Sequence, residues 1–447
     1  MSDELAAVVM AGGLGTRMKS ATPKHLHPLL GRRMVDWVVR AARAAGVERI
    51  VVVASPESAG SFERDGVEVA VQREPLGTGD AVRSAHDALA GVHGDVLVLN
   101  GDVPALTPEL VRALVETHRG ARGAGAVLSF EPDDVRAYGR IVRDGDGRLA
   151  RIVEAADASP GELALREANS GIYVFREEKL WPALDRLEPH NAQGELYVTD
   201  TLGLLVGGGD AIAVHTAPVA WEVEGINTRA ELAFVAARLR DRINDAHMLA
   251  GVTIVDPATT WIDADVQIEA DTTIHPFTVL RGATTVETGA EVGPHVVAVG
   301  AAIGRDVSVG PFAYLRPGTM LGEGSKAGTF VELKKARIGA RTKVPHLSYL
   351  GDAEVGEDTN IAAGNITANF PHQAGLPKGT TRIGRNVRTG VDNTFSAPVD
   401  IGDDAWIAPG SVITDDVPAG SFAGFPPRQE TKEGWVYDKH GKPDRDR

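Results

Sequence analysis

The chain has 447 residues, 43% of them apolar and 24% charged, with 51 glycines; this is the makeup of a globular protein of two or three domains and excludes a fibrous or disordered one. A formal net charge of −15 excludes binding to nucleic acid or to an anionic membrane through the global field. Cysteine is absent, which excludes disulfides, thiolate metal sites and a cysteinyl acyl-enzyme and fits a cytoplasmic setting.

No apolar run approaches the roughly 18 residues of a membrane span. Met1, Ser2, Asp3 and Glu4 carry acids where a secretory signal carries bases. Leu5 to Met10 is an apolar run of strand length. Met34, Val38, Ala41, Ala42 and Ala45 recur at helical spacing, Ile50 to Ala54 reads as the next buried strand, and Val96 to Leu99 as another. Buried strands alternating with helices predict an α/β domain with a largely parallel, Rossmann-like sheet, whose ligands sit at the carboxyl ends of the strands.

Chemistry gathers at those ends. After the first strand comes Ala11-Gly12-Gly13-Leu14-Gly15-Thr16-Arg17-Met18, then Pro23-Lys24. Glycines let backbone N–H groups approach a phosphate, and Arg17 and Lys24 add positive charge against a triphosphate. Gln72, followed by Leu76-Gly77-Thr78-Gly79, is placed to read a base edge. Asn100-Gly101-Asp102 ends the Val96–Leu99 strand, where a carboxylate can hold Mg²⁺.

Residues 229–248 change character. Leu232, Val235, Leu239, Ile243 and Ala246 form one apolar stripe among Arg and Asp, which predicts a single long amphipathic helix joining two domains. Beyond residue 252 the apolar period becomes six. Ile262, Ile268, Ile274, Leu280, Val286 and Val292 follow it, then Ile303, Val309, Leu315 and Leu321, then Ile338, Val344 and Leu350, and finally Ile383, Thr389, Phe395, Ile401, Ile407 and Ile413. A hexapeptide period predicts a parallel β-helix, three hexads per triangular turn. The repeat breaks between about 364 and 382, where a loop should leave the coil.

The AGGLGTRM…PK stretch resembles the signature of sugar nucleotidyltransferases. Tyr138-Gly139-Arg140, Glu154, Asn169-Ser170-Gly171, Asn191 to Glu195, Tyr197 to Asp200 and Glu224 to Asn227 follow in an order similar to the bacterial bifunctional N-acetylglucosamine-1-phosphate uridylyltransferase/glucosamine-1-phosphate acetyltransferase family. The resemblance spans essentially the whole chain. It implies a sugar-nucleotidyltransferase domain over residues 1–228, a linker helix over 229–250, and a left-handed β-helix acetyltransferase domain with a C-terminal tail over 251–447. It implies phosphate contacts from Gly12, Gly13, Arg17 and Lys24, with Arg17 and Lys24 also catalytic, uracil and ribose contacts from Gln72, Gly77 and Thr78, and sugar contacts from Gly139, Glu154, Asn169, Tyr197 and Thr199. It further implies Mg²⁺ on Asp102 and Asn227, UTP and acetyl-CoA as substrates, and a homotrimer.

The second half carries Leu315-Arg316-Pro317-Gly318, Glu332-Leu333-Lys334, His346 to Asp352 and Asn360 to Asn369. By the resemblance, Arg316 and Lys334 bind the sugar phosphate of the acetyl acceptor, Tyr349 and Asn360 orient its sugar, and Ala363, Asn369, Phe370 and Arg428 contact acetyl-CoA. The same resemblance implies that His346 is the general base, and an imidazole suits the removal of a proton from an attacking amine near neutral pH. The chain departs from the family here. Asn369-Phe370-Pro371-His372 stands where the family reads Asn-Tyr-Asp-Gly, the following loop is longer by about three residues, and Lys378 matches a family lysine only when aligned on Ile383-Gly384. A competing reading is a nucleotidyltransferase for another hexose 1-phosphate whose β-helix is structural or regulatory. The Arg316, Lys334, His346, Tyr349, Asn360 set argues against it, because a merely structural coil has no need of those residues.

Overall fold

The computed structural model describes residues 4–13, 15–63, 66–135, 138–189, 191, 193–371, 375–424 and 429–440. The chain divides into two compact units, Met1–Leu239 and Arg240–Arg447.

The first unit is built on strands β1 (Glu4–Met10), β2 (Arg49–Ala54), β3 (Glu68–Val71), β4 (Gly94–Asn100), β5 (Gly125–Phe130), β6 (Arg140–Arg143), β7 (Leu149–Val153), β8 (Ala168–Arg176) and β9 (Ile212–Thr216). Their order is β9-β5-β8-β4-β1-β2-β3, with the β6–β7 hairpin attached to β8. Helices α1 (Met34–Ala44), α2 (Thr78–Arg83), α3 (Pro108–Ala121), α4 (Glu177–Leu184) and α5 (Val198–Gly207) cover it. Alternate residues of β1 face opposite layers: Ala6 and Val8 pack with Val82, Leu180 and Leu202, whereas Ala7 and Val9 pack with Val38, Leu110 and Leu114. The sheet is therefore buried on both faces, which explains why its central strands read as unbroken apolar runs. The expected parallel arrangement holds between β9 and β5 and from β4 through β1 and β2 to β3, whereas β8 runs antiparallel to both β4 and β5, and the β6–β7 hairpin is antiparallel within itself and to β8. The carboxyl ends of β1 and β4 lie side by side, Met10 paired with Asn100, and this brings the glycine loop to the Asp102 turn.

The long helix, α6 (Arg229–Leu249), forms as expected, and the boundary between the units falls within it. In the first unit Val235 and Leu239 are buried with Leu29, Met34 and Ile226. In the second, the stripe differs from the periodicity: Ala246 is exposed, while Asn244 is wholly buried. The Asn244 amide donates to the carbonyls of Pro257 and Thr260, both at 3.0 Å. The buried position is polar because backbone acceptors at the start of the coil need a donor.

The second unit is a parallel β-helix. Residues one turn apart stack in register, as in Ile262, Leu280, Ala298, Leu315, Leu333 and Leu350. The hexad positions form one continuous core, with Ile268 only partly buried and Thr389 buried as its polar member. At one corner Phe277, His295, Phe312 and Phe330 take left-handed φ values of 55–59° and stack their rings 4.7, 4.8 and 5.2 Å apart. The expected break is narrower than the sequence implies. Ile366–Ala368 stays in the ladder beneath Tyr349, Thr381–Ile383 resumes it beneath Ala353, and the described residues between them, 369–371 and 375–380, lie outside the ladder.

Candidate active sites

The first site forms where β1 ends. Gly15 has φ +59°, and a Cβ there would lie 2.5 Å from the Lys24 Cβ, so only glycine lets the loop fold over that lysine. Gly12 sits against Gln72, and Gly13 lies over His25. Lys24 is buried, and its ammonium donates to Asp102 Oδ2 at 2.5 Å and Asn227 Oδ1 at 3.0 Å. Arg17, exposed, donates to the same Asn227 oxygen at 2.8 Å. Two oxygen donors from distant parts of the chain thus converge on one cation. Behind them the His25 imidazole is pulled down to about 4 by burial, opposed by Asp102 and reinforced by Lys24.

The second wall comes from the turn into α2. Gly77 has φ +119°, and a Cβ would meet the Leu196 carbonyl oxygen at 2.5 Å. Thr78 Oγ1 accepts the Val198 N–H at 3.0 Å, which fastens α5 to this turn. Gln72 donates to the Gly77 carbonyl and to Asp80 Oδ2, both at 3.0 Å.

Asp102, Asn227, Thr78, Gly139, Glu154, Asn169 and Thr199 line one cavity of about 210 Å³. Tyr197, mostly buried, lines an adjoining cavity of about 500 Å³ that shares Glu154 and Thr199. Thr199 donates to Glu154 at 3.2 Å, and Asn169 donates to the Tyr173 hydroxyl at 2.7 Å. Burial pushes the Glu154 carboxyl up against the Thr199 bond, with Asp200 and Asp157 adding to the rise. Such a group suits hydrogen bonding to a neutral sugar. Sequence reasoning gave no role to Asn100, Ser170 or Tyr173, which also line the smaller cavity.

The second site lies on the outside of the coil, around one corner. Arg316 pairs with Glu332 at 2.8 Å. Lys334 stands in register with Gly351. A Cβ on Gly351 would lie 2.2 Å from the Tyr349 hydroxyl and 2.9 Å from the Asn369 amide nitrogen, so that glycine makes room for both side chains. Asn369 is buried and donates to Asp352. His346 is exposed at the end of the Lys343–His346 strand. Asn360 continues that ladder between Lys343 and Arg388, and the Ala363 carbonyl accepts the Asp392 N–H at 2.9 Å. Phe370 is 75% exposed, with the Lys378 ammonium 5.5 Å from its ring centre. Lys334 is held below the usual lysine range, first by the influence of Lys378, then by desolvation and the Arg316 charge, with Asp352 opposing. Arg428 lies outside the described residues. Glu332 and Asp352 were missed by sequence reasoning; the signal was their spacing of 16 or 17 residues, close to one coil turn of 17 or 18, from Arg316 and Asn369.

Residues 7–198 match the model of the MobA-like NTP transferase domain. The chain is 47% identical over 457 aligned residues to the bifunctional protein GlmU of Streptomyces coelicolor, covering 97% of this chain and 94% of that one. Identity is 44% to its namesake in Corynebacterium efficiens, with the same coverage of 97% and 94%, and 47% to that of Leifsonia xyli subsp. xyli, with 98% and 94%. With a nucleotidyltransferase sheet in one unit, a hexapeptide coil in the other and near full-length identity of this order, the chain belongs to the family of bifunctional GlmU proteins.

Proposed function

We propose that the chain makes UDP-N-acetylglucosamine in two steps: acetyl transfer from acetyl-CoA to glucosamine 1-phosphate in the second unit, then uridylyl transfer from UTP to N-acetylglucosamine 1-phosphate in the first. The observation that carries the reading is the convergence of Arg17, Lys24, Asp102 and Asn227 beneath a glycine loop, beside a polar cavity of sugar size.

In the uridylyl step a phosphate oxygen of the sugar attacks the α-phosphorus of UTP and pyrophosphate leaves. Two anions must be aligned, so Arg17, Lys24 and the loop N–H groups neutralise and orient the phosphates. Glu154, Asn169 and Thr199 hold the sugar, and Gln72, Gly77 and Thr78 the nucleoside. Asp102 and Asn227 fit a hard divalent cation, because the Lys24 ammonium already stands between their oxygens as a stand-in cation. Mg²⁺ bound there would neutralise developing phosphate charge.

In the acetyl step the amine of glucosamine 1-phosphate attacks the thioester carbonyl, His346 takes the ammonium proton, and the CoA thiolate leaves. Arg316 and Lys334 hold the phosphate, Tyr349 and Asn360 the sugar, and Ala363, Asn369 and Phe370 the acetyl-CoA. The protein works in the cytoplasm as a homotrimer assembled through its coil.

The test supplies glucosamine 1-phosphate, acetyl-CoA, UTP and Mg²⁺ and resolves the products by mass. UDP-N-acetylglucosamine is expected. His346→Ala should lower acetylation by roughly 10²–10⁴-fold and leave uridylyl transfer intact. A wild-type protein that uridylylates but never acetylates would assign the coil another substrate or a structural role.

A further inference from the structure

The Gln72 side chain is held by one end only. Its amide nitrogen donates to the Gly77 carbonyl and to Asp80 Oδ2, both at 3.0 Å, which occupies both of its hydrogens. A carbonyl and a carboxylate accept and do not donate. Turned over, the amide would set its oxygen against two acceptors, so the network itself decides which end faces which way. The oxygen is left on the side of the glycine loop, where a Cβ on Gly12 would lie 3.4 Å from it. Among the described residues nothing donates to that oxygen. Both acceptors are fixed in turn. The Gly77 carbonyl also accepts the Ala81 N–H at 3.1 Å, as part of the first turn of α2. Asp80, with its side chain only 14% exposed, gives its other oxygen to Arg83 at 2.7 Å.

We infer that Asp80, braced by Arg83, is a positioning residue that sets the choice of base: by claiming the Gln72 amide nitrogen, it leaves the nucleotide an acceptor and no donor. The inference rests on the uridylyltransferase reading, in which Gln72 meets the base. Uracil carries a donor at N3 and matches that acceptor. Cytosine carries a lone pair at N3 and meets it with repulsion. Rejection of cytosine is thus built into α2, behind the residue that touches the nucleotide.

The test is kcat/KM with UTP and with CTP on the full chain, each with N-acetylglucosamine 1-phosphate and Mg²⁺. The ratio of the two is read on one preparation, so any unfolded fraction cancels. Wild type should favour UTP. In Asp80→Asn the single remaining oxygen can stay with Arg83, which turns an amide nitrogen toward Gln72 and drives the Gln72 amide to turn over. The UTP/CTP ratio should shrink about tenfold, the scale of one hydrogen bond to a charged group, with the UTP loss carried by KM rather than kcat. Arg83→Met should move the ratio the same way by roughly two- to fivefold. Adding Asp80→Asn to Gln72→Leu should leave the ratio where Gln72→Leu alone puts it, because Asp80 acts through the amide. Equal losses for UTP and CTP in Asp80→Asn, a further fall of the ratio in the double variant, or a wild type that uses both nucleotides alike would overturn the inference and leave the nucleotidyl-transfer reading standing. A wild-type protein that transfers nothing from UTP would overturn both.

Discussion

Lys24 donates to two acceptors contributed by segments 78 and 203 residues away, so the site is a meeting of charges rather than a local motif. Asp102→Asn keeps the shape but removes the negative charge facing that lysine. Pyrophosphate release should fall on the order of 10²–10³-fold or more while acetylation is spared, and near-wild-type release would sink the assignment. Asp95, at the opposite end of the same strand, provides a test of stability. Burial alone would push its carboxyl up, but hydrogen bonds from His118 at 3.0 Å and Arg119 at 2.7 Å prevail and hold it below the usual aspartate range. The stability this group contributes is present above the ordinary aspartate value of about 3.9 and is lost as pH falls through the depressed folded value. Asp95→Asn should lower the melting temperature at neutral pH and flatten the acid limb below about pH 4; a limb superimposable on wild type would remove Asp95 from the account. The charged residues of both sites were legible because their chemistry is carried by residue type. Their partners were not. Glu332 and Asp352 become visible only once the coil turn is known to be 17 or 18 residues, since their role depends on stacking rather than on local sequence.

Among the elements, periodicity carried furthest where one residue per repeat faces a core. Leu280 is wholly buried between Ile262 and Ala298 in the stack. Leu280→Ala should destabilise the coil by about 2–5 kcal/mol, read as a lower denaturant midpoint, whereas uridylyl transfer below that midpoint should be unchanged. A loss under 1 kcal/mol would mean that the neighbouring turns collapse into the gap. Two features escaped periodicity for physical reasons. β8 is buried like β4 and β5 beside it, and burial does not encode strand direction. Asn244 is buried although the apolar stripe did not include it, because at the coil's first turn the carbonyls of Pro257 and Thr260 take its amide as donor.

At the scale of the whole molecule, the stacked corner of Phe277, Phe312 and Phe330 leaves each ring 48–56% exposed on a chain that is otherwise strongly acidic. An apolar edge of that length is a natural contact for a further copy of the same coil. Light scattering should give three times the mass of the chain, and Phe312→Glu should shift it toward smaller species with the coil's circular dichroism intact. A monomer at micromolar concentration with full acetylation would contradict the trimer.

The strands Tyr349–Val355, Ile366–Ala368 and Thr381–Ile383 keep their register although the described residues between the last two lie outside the ladder. The ladder therefore does not record how long the excursion is. Insertions and deletions at that point are nearly silent for folding and visible only to ligand, so the loop is free to change length during descent while the scaffold stays under its own separate constraint. Natural selection can thus retune the surface at that point without renegotiating the fold.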